Sequence, residues 1–214
     1  MTTSLRTLLA LSTCALLLGG CASAPPATAR YDFGPLPTAA ANAAAATSAA
    51  PAGSNPIGTL MVADLSGPAS LDSEHMQYRL LYADARQTRP YAHNQWAATP
   101  FQLLGQRLRS SFAQSGVKVL ATTDAITNPT VLRMEVNEFA QNFDSATSSY
   151  GVINVRASLF RQHRLIDQRT FQRSVAAPTA DAAGGAQALA AASDALAADL
   201  LVWLNTITPQ NTAR

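Results

Sequence analysis

The chain opens on a short greasy run that ends at a cysteine, and this limits where the rest can fold and what can hold it together. Arg6 supplies one positive charge, residues 8–18 are apolar, and Gly19 and Gly20 precede Cys21. A bilayer span needs about 20 apolar residues, so the run is too short to cross comfortably. Its three-part layout reads as an export leader over residues 1–20. The sequence has two cysteines, Cys14 and Cys21. Cys14 is lost with such a leader. Removing 20 residues from 214 leaves 194, with no cysteine beyond Cys21. The mature domain is therefore expected to have no disulfide and no Cys-ligated metal, even in an oxidising compartment.

Leu18-Gly19-Gly20-Cys21 resembles a bacterial lipobox, in which the cysteine is lipidated before cleavage on its N-terminal side. The resemblance implies a diacylglyceryl group and an N-acyl chain such as palmitate on Cys21. Two or more acyl chains hold a protein at a membrane stably, where one is marginal. In lipoproteins of this type an Asp after the cysteine favours the inner membrane. Ala22 stands there, which points to the outer membrane. Residues 21–30 form a tether, and ten extended residues reach at most about 35 Å. The folded part is expected to sit close to its membrane, on the periplasmic side.

Only 13% of residues are charged and the net charge is +2, too little to argue for nucleic acid. Residues 38–56 are rich in Ala, Ser, Asn, Pro and Gly, with no charge and no large apolar side chain. They cannot bury enough surface to offset ordering entropy and read as a disordered insertion. Residues 208–214 read as a flexible tail. The remainder, 31–207, reads as one domain.

Within the chain beyond the tether, short strands are expected at 30–34, 57–65, 76–82 and 117–120, with 89–93 hairpin-paired to 76–82. Thr99-Pro100 is a cap followed by a first-turn proline. Phe101, Leu104, Leu108 and Phe112 then form one helical stripe, and Gly116 ends the helix. Residues 130–137, 151–160 and 166–175 alternate as an antiparallel meander, the third more polar and edge-like. Leu189, Leu196, Leu200, Trp203, Leu204 and Ile207 mark a long amphipathic helix over 185–207. The expected class is α+β: a mixed or antiparallel sheet of about five to seven strands with two main helices, about 100–115 and 185–207, packed on it.

No catalytic signature stands out. There is no Gly-x-Ser-x-Gly elbow, P-loop, dinucleotide fingerprint or His-Glu-x-x-His. His75, His93 and His163 each stand alone, and Asp64, Asp72 and Glu74 read as solvated turn acids. The sequence reads as a non-enzyme with no cofactor and no metal.

A set of residues in fixed order carries a family resemblance: Tyr31-x-Phe33-Gly34, Leu60-Met61-Val62, Leu71-Asp72, Met76-Gln77-Tyr78-Arg79, Tyr82, Tyr91, Trp96-Ala97, Pro100, Leu103-Leu104 and Leu108. With the lipobox, it resembles the PqiC/YmbA-like auxiliary lipoproteins of MCE-type ABC transport systems, over residues 18–175. The resemblance implies a non-catalytic, periplasm-facing lipoprotein of the outer membrane. Its partners would be an MCE-domain protein forming a hydrophobic conduit and, through it, an ABC permease and ATPase. The system moves phospholipid between membranes, and the lipoprotein docks the conduit, as a ring of copies. Tyr78, Arg79, Tyr82 and Trp96 are the expected partner-binding residues, since Tyr, Trp and Arg anchor interfaces. Two other readings stay open: an assembly or lipid-binding lipoprotein of another envelope system, and a lipid-tethered hydrolase.

Overall fold

The structure, a computed structural model, describes residues 27–37 and 58–207. The leader, Cys21, most of the tether, the 38–56 insertion and the 208–214 tail lie outside the described residues. In chain order come β1 (Ala29–Tyr31), β2 (Thr59–Val62), β3 (His75–Leu80), the single turn α1 (Leu81–Asp84), β4 (Thr88–Trp96) and α2 (Pro100–Gln114). They are followed by β5 (Lys118–Leu120), β6 (Thr130–Phe143), β7 (Ser149–Arg161), β8 (Arg164–Ala176) and α3 (Ala182–Ile207).

All eight strands join one sheet, built on β6. Along one edge β6 pairs antiparallel with β7 over its whole length, and β7 pairs with β8. This is the meander expected from the alternation. Along the other edge two strands share β6 end to end, both parallel to it. β2 pairs at Thr130 to Leu132 and β3 at Gln141 to Phe143. β5 extends the β2 branch, and β4 then β1 extend the β3 branch. The sheet thus forks. It has one strand more than the upper expectation, because the three-residue strands β1 and β5 are recruited by it too.

β6 runs six residues beyond its expected end at Asn137. A register shift between Val136 and Glu138 changes the phase of the alternation. Leu132, Met134 and Val136 point inward before this bulge, and Phe139 and Gln141 after it. A strict two-residue period loses the strand at that point. In β3 the chain leaves the strand at Leu80 and turns helical at Leu81–Asp84, so Tyr82 is not a strand residue.

α2 follows its local chemistry closely. Thr99 Oγ1 accepts from the Gln102 N–H at 3.4 Å and Gln102 Oε1 accepts from the Thr99 N–H at 3.2 Å, a reciprocal cap. Leu104, Leu108 and Phe112 are fully buried.

α3 is 26 residues long and apolar enough, by length and composition, to cross a membrane. Here it lies on β7 and β8 and against α2 instead. It begins three residues before the expected start. Asp181 Oδ1 accepts from the Gly184 N–H at 2.8 Å and serves as the cap. In the fold, a Cβ at Gly185 would lie 2.0 Å from the Gln141 Oε1, so glycine is what lets the helix sit down on β6. Gly151 in β7 does the same from the sheet side. A Cβ there would lie 2.8 Å from the Leu189 backbone nitrogen.

Gly151→Ala is expected to lower unfolding free energy by about 2 kcal/mol through overpacking. Urea titration checks this; an unchanged midpoint would mean that α3 does not rest on β7 there.

Candidate docking surface

The expected partner-binding residues separate once folded. Trp96 is 1% exposed and lies in the core. Its ring meets Phe33 at 5.8 Å and Phe139 at 5.6 Å, both edge-on. It therefore presents no surface, contrary to the expectation for it. The reason is the fork: β4 and β1 fold the indole back over β6. Tyr78 is half-buried, stacked on Tyr91 at 4.6 Å and against Phe143 at 5.8 Å. Arg79 is engaged within the sheet. It donates to Glu138 Oε1 at 2.6 Å and to Thr88 Oγ1 at 3.2 Å. Tyr82, 53% exposed, is the member of the group most open to a partner.

The residues beneath these are structural, and their signals were partly readable. Arg107 is 7% exposed. It donates to both carboxylate oxygens of Asp194, at 2.6 and 2.8 Å, and to the Gly34 carbonyl at 3.1 Å. One guanidinium thus joins α2, α3 and the segment after β1. The clue was a charge inside an apolar stripe, between Leu104 and Leu108. Gln141 is 1% exposed. Its Oε1 accepts from the Tyr91 hydroxyl at 2.8 Å, and its Nε2 donates to Ser149 Oγ at 2.8 Å and to the Asp181 carbonyl at 3.0 Å. It ties the start of α3 to the sheet. Burial, then the neighbouring Tyr78 and Asp181, hold the Tyr91 phenol well above its ordinary value. Asp181 is held below the usual carboxylate range, first by the Gly184 N–H and then by the Thr179 hydroxyl.

His75, His93 and His163 are exposed, on β3, β4 and the β7–β8 turn. Asp64 pairs with Arg109 at 3.6 Å and Glu74 with Arg30 at 3.1 Å, so those acids do not converge. Among the described residues no group of three or more His, Cys, Asp or Glu is placed to hold a metal. A cavity of about 430 Å³ lies at the fork, lined among others by Arg79, His75, Thr88 and Glu138. Its charged pair is already satisfied internally.

The fold is thus an α+β scaffold with a forked sheet, two covering helices and polar groups spent on packing. Solved structures share it. Protein XCC0632 from Xanthomonas campestris superposes with a TM-score of 0.64 at 22% identity, covering 72% of this chain and 87% of that one. A crystal structure described as an uncharacterized protein also gives 0.64, at 17% identity, over 83% and 99%. No curated protein sequence matches. The family described as the ABC-type transport auxiliary lipoprotein component matches residues 40–200. The chain belongs to that family, and so to the lipoproteins that accompany ABC transporters.

Two outcomes follow from the packing. Arg107→Met strands the Asp194 carboxylate and is expected to cost about 3 kcal/mol, with Arg107→Met/Asp194→Leu milder than the single change, by urea titration. Tyr91, raised in the folded state, contributes stability that is intact below its unfolded value of 10.0 and lost as pH rises above it. Melting temperature should therefore fall above about pH 10, and less steeply in Tyr91→Phe.

Proposed function

We propose that this chain is a non-catalytic, lipid-anchored subunit of an MCE-type ABC system that moves phospholipid, and that it docks the periplasm-spanning conduit to the outer membrane. What carries the reading is membership in the ABC-type transport auxiliary lipoprotein family together with a lipobox cysteine, Cys21, eight residues before β1. Eight extended residues reach at most about 28 Å. A domain so tethered stays beside its bilayer, and the spanning is left to the partner. The ordered residue set from Tyr31 to Leu108 supports the MCE assignment by resemblance. Ala22 after the cysteine supports the outer membrane.

The interior supports a binding part over a catalytic one. Arg107 and Gln141, both buried, have their hydrogen-bonding capacity taken up by neighbouring elements. Docking also needs area. A specific interface covers about 800 Å² per partner, more than Tyr82 alone supplies. Copies arranged as a ring would multiply a modest contact.

The test is purification of the intact, acylated protein from envelopes after mild crosslinking. Recovery of an MCE-domain protein, with the permease and ATPase in lower yield, is expected. Recovery of a different envelope complex without any MCE-domain protein would overturn the reading.

A further inference from the structure

The sheet has one long edge. On the forked side it ends at β1 and β5, three residues each. On the other side it ends at β8, which pairs with β7 alone among the described strands. β8 has 13 residues, and only Phe171 among them is buried. The Ala177 N–H donates to the Ser149 carbonyl at 2.9 Å, one step beyond the pairing of Tyr150 with Ala176. Backbone groups alternate sides along an antiparallel strand. Counting back by twos from Ala177, Arg173, Phe171, Arg169 and Asp167 bond toward β7. Ser174, Gln172, Thr170 and Gln168 send their N–H and C=O groups to the open edge. Sheet edges are commonly blunted by brevity, proline, bulges or charge. β1 and β5 are brief. The outward-facing positions of β8 carry no proline and no charge, and its register with β7 shifts only before Asp167.

The side chains along this edge are half satisfied, in a pattern that differs between its two ends. On the polar face, Asn154 Nδ2 donates to Gln172 Oε1 at 3.3 Å, and Gln168 Nε2 donates to Ser158 Oγ at 2.7 Å. Gln172 keeps its amide donor and Gln168 its carbonyl acceptor. On the α3 face, Asp167 Oδ2 accepts from the Trp203 indole at 2.8 Å, and Arg173 donates through Nε and Nη2 to Asp199. Asp167 keeps Oδ1 and Arg173 keeps Nη1. Among the described residues none of these four atoms has a hydrogen-bond partner. The acceptors, Asp167 and Gln168, stand in the first half of the strand. The donors, Gln172 and Arg173, stand in the second.

An antiparallel copy of the same strand reverses that order and matches it. Facing residues must both send their backbone groups across the gap or both send them away, so the two-fold axis falls at a residue. Centring on Arg169 sets that arginine against its own copy. Centring on Phe171 sets Arg169 against Arg173. Both oppose like charges directly, which is unfavourable. Centring on Gln168 leaves the Gln172 donor opposite Arg164. Centring on Thr170, the midpoint of Arg164–Ala176, sets Asp167 against Arg173 and Gln168 against Gln172, twice each by symmetry. Each unmatched acceptor then meets an unmatched donor on the same face. Thr170 meets its own copy, and Thr–Thr and opposite-charge pairs both favour antiparallel pairing.

We propose that the open edge of β8 binds β8 of a second copy of this chain, antiparallel and centred on Thr170, so that the two sheets continue across a two-fold axis. The backbone groups of Gln168, Thr170 and Gln172 supply the hydrogen bonds, and the side chains set the register. The second copy is the occupant because the edge is complementary to itself in charge and in donors and acceptors. Such a contact uses the same patch on both chains and closes at two copies. A ring of copies would be built on another surface. The inference does not rest on the transport reading.

The test is sedimentation velocity on the whole chain after the leader with Cys21→Ser, which has no acyl groups to gather copies in a shared micelle. This parent chain is expected to dimerise. Gln168→Lys/Gln172→Lys opposes lysines across the edge and should weaken the dimer at least about tenfold. Gln168→Lys/Gln172→Glu opposes Lys to Glu and should restore it, which only the Thr170-centred register predicts. Thr170→Pro removes an outward N–H and should also abolish the dimer. Unchanged melting temperatures of the monomers show that the variants fold. Nitroxides on Thr170→Cys, with Cα atoms about 5.5 Å apart, should broaden each other's spectra, in this chain and in the acylated chain in liposomes. A parent chain that stays monomeric at its highest soluble concentration would overturn the proposal. So would a dimer that the lysine pair and Thr170→Pro leave unchanged, or a larger assembly in which the Thr170→Cys labels stay apart. A monomeric parent chain whose capture of an MCE-domain protein is lost in Thr170→Pro would give the edge to a strand of that partner and overturn the assignment to a second copy.

Discussion

Two carboxylates decide where the longest helix goes. α3 carries no charged side chain except Asp194 and Asp199. Asp194 meets Arg107 of α2, and Asp199 meets Arg173 of β8. The rest of α3 is apolar enough that hydrophobic burial alone would leave its rotation and slide loosely specified, because burial is not directional. The two ion pairs fix it from two directions, one against a helix and one against the sheet. Gly151 and Gly185 then admit the close approach that those pairs require. The Arg107 guanidinium is buried, where an ion pair adds little net stability, while the Arg173–Asp199 pair is partly exposed. Here the arrangement is what closes the core.

That placement has a consequence for what the domain can do. With α2 and α3 over one face of the sheet, the strongest polar groups of the interior are used in holding elements together. The opposite face of β6, β7 and β8 is polar and self-paired, through Arg156 with Glu135 and a ladder from Asn137 through Asn154 to Gln172. A rigid body with satisfied polar surfaces suits a component that positions other proteins.

Legibility in the sequence followed the range of the cause. α2 could be placed closely because Thr99, Pro100, Gln102 and Gly116 act within a few residues of themselves. The meander could be read because alternation is local, and β6 was lost at the bulge after Val136 because a register shift is set by the partner strand. The start of α3 lies three residues before the expected one because the Asp181 cap, not the apolar stripe, sets it. Trp96 looked like an interface anchor because a strand-end Trp carries no mark of which side it faces. Phe33 and Phe139, 63 and 43 residues away in the chain, enclose it. Arg107 was overlooked although a charge between Leu104 and Leu108 was visible.

The mass of the N-terminal peptide of the native protein bears most directly on a domain held by acyl chains beside a bilayer. Cleavage before Cys21, with a diacylglyceryl group and an amide-linked acyl chain on that residue, is the result predicted. An unmodified Cys21 thiol, or a leader still attached to the chain in the cytosol, would contradict it.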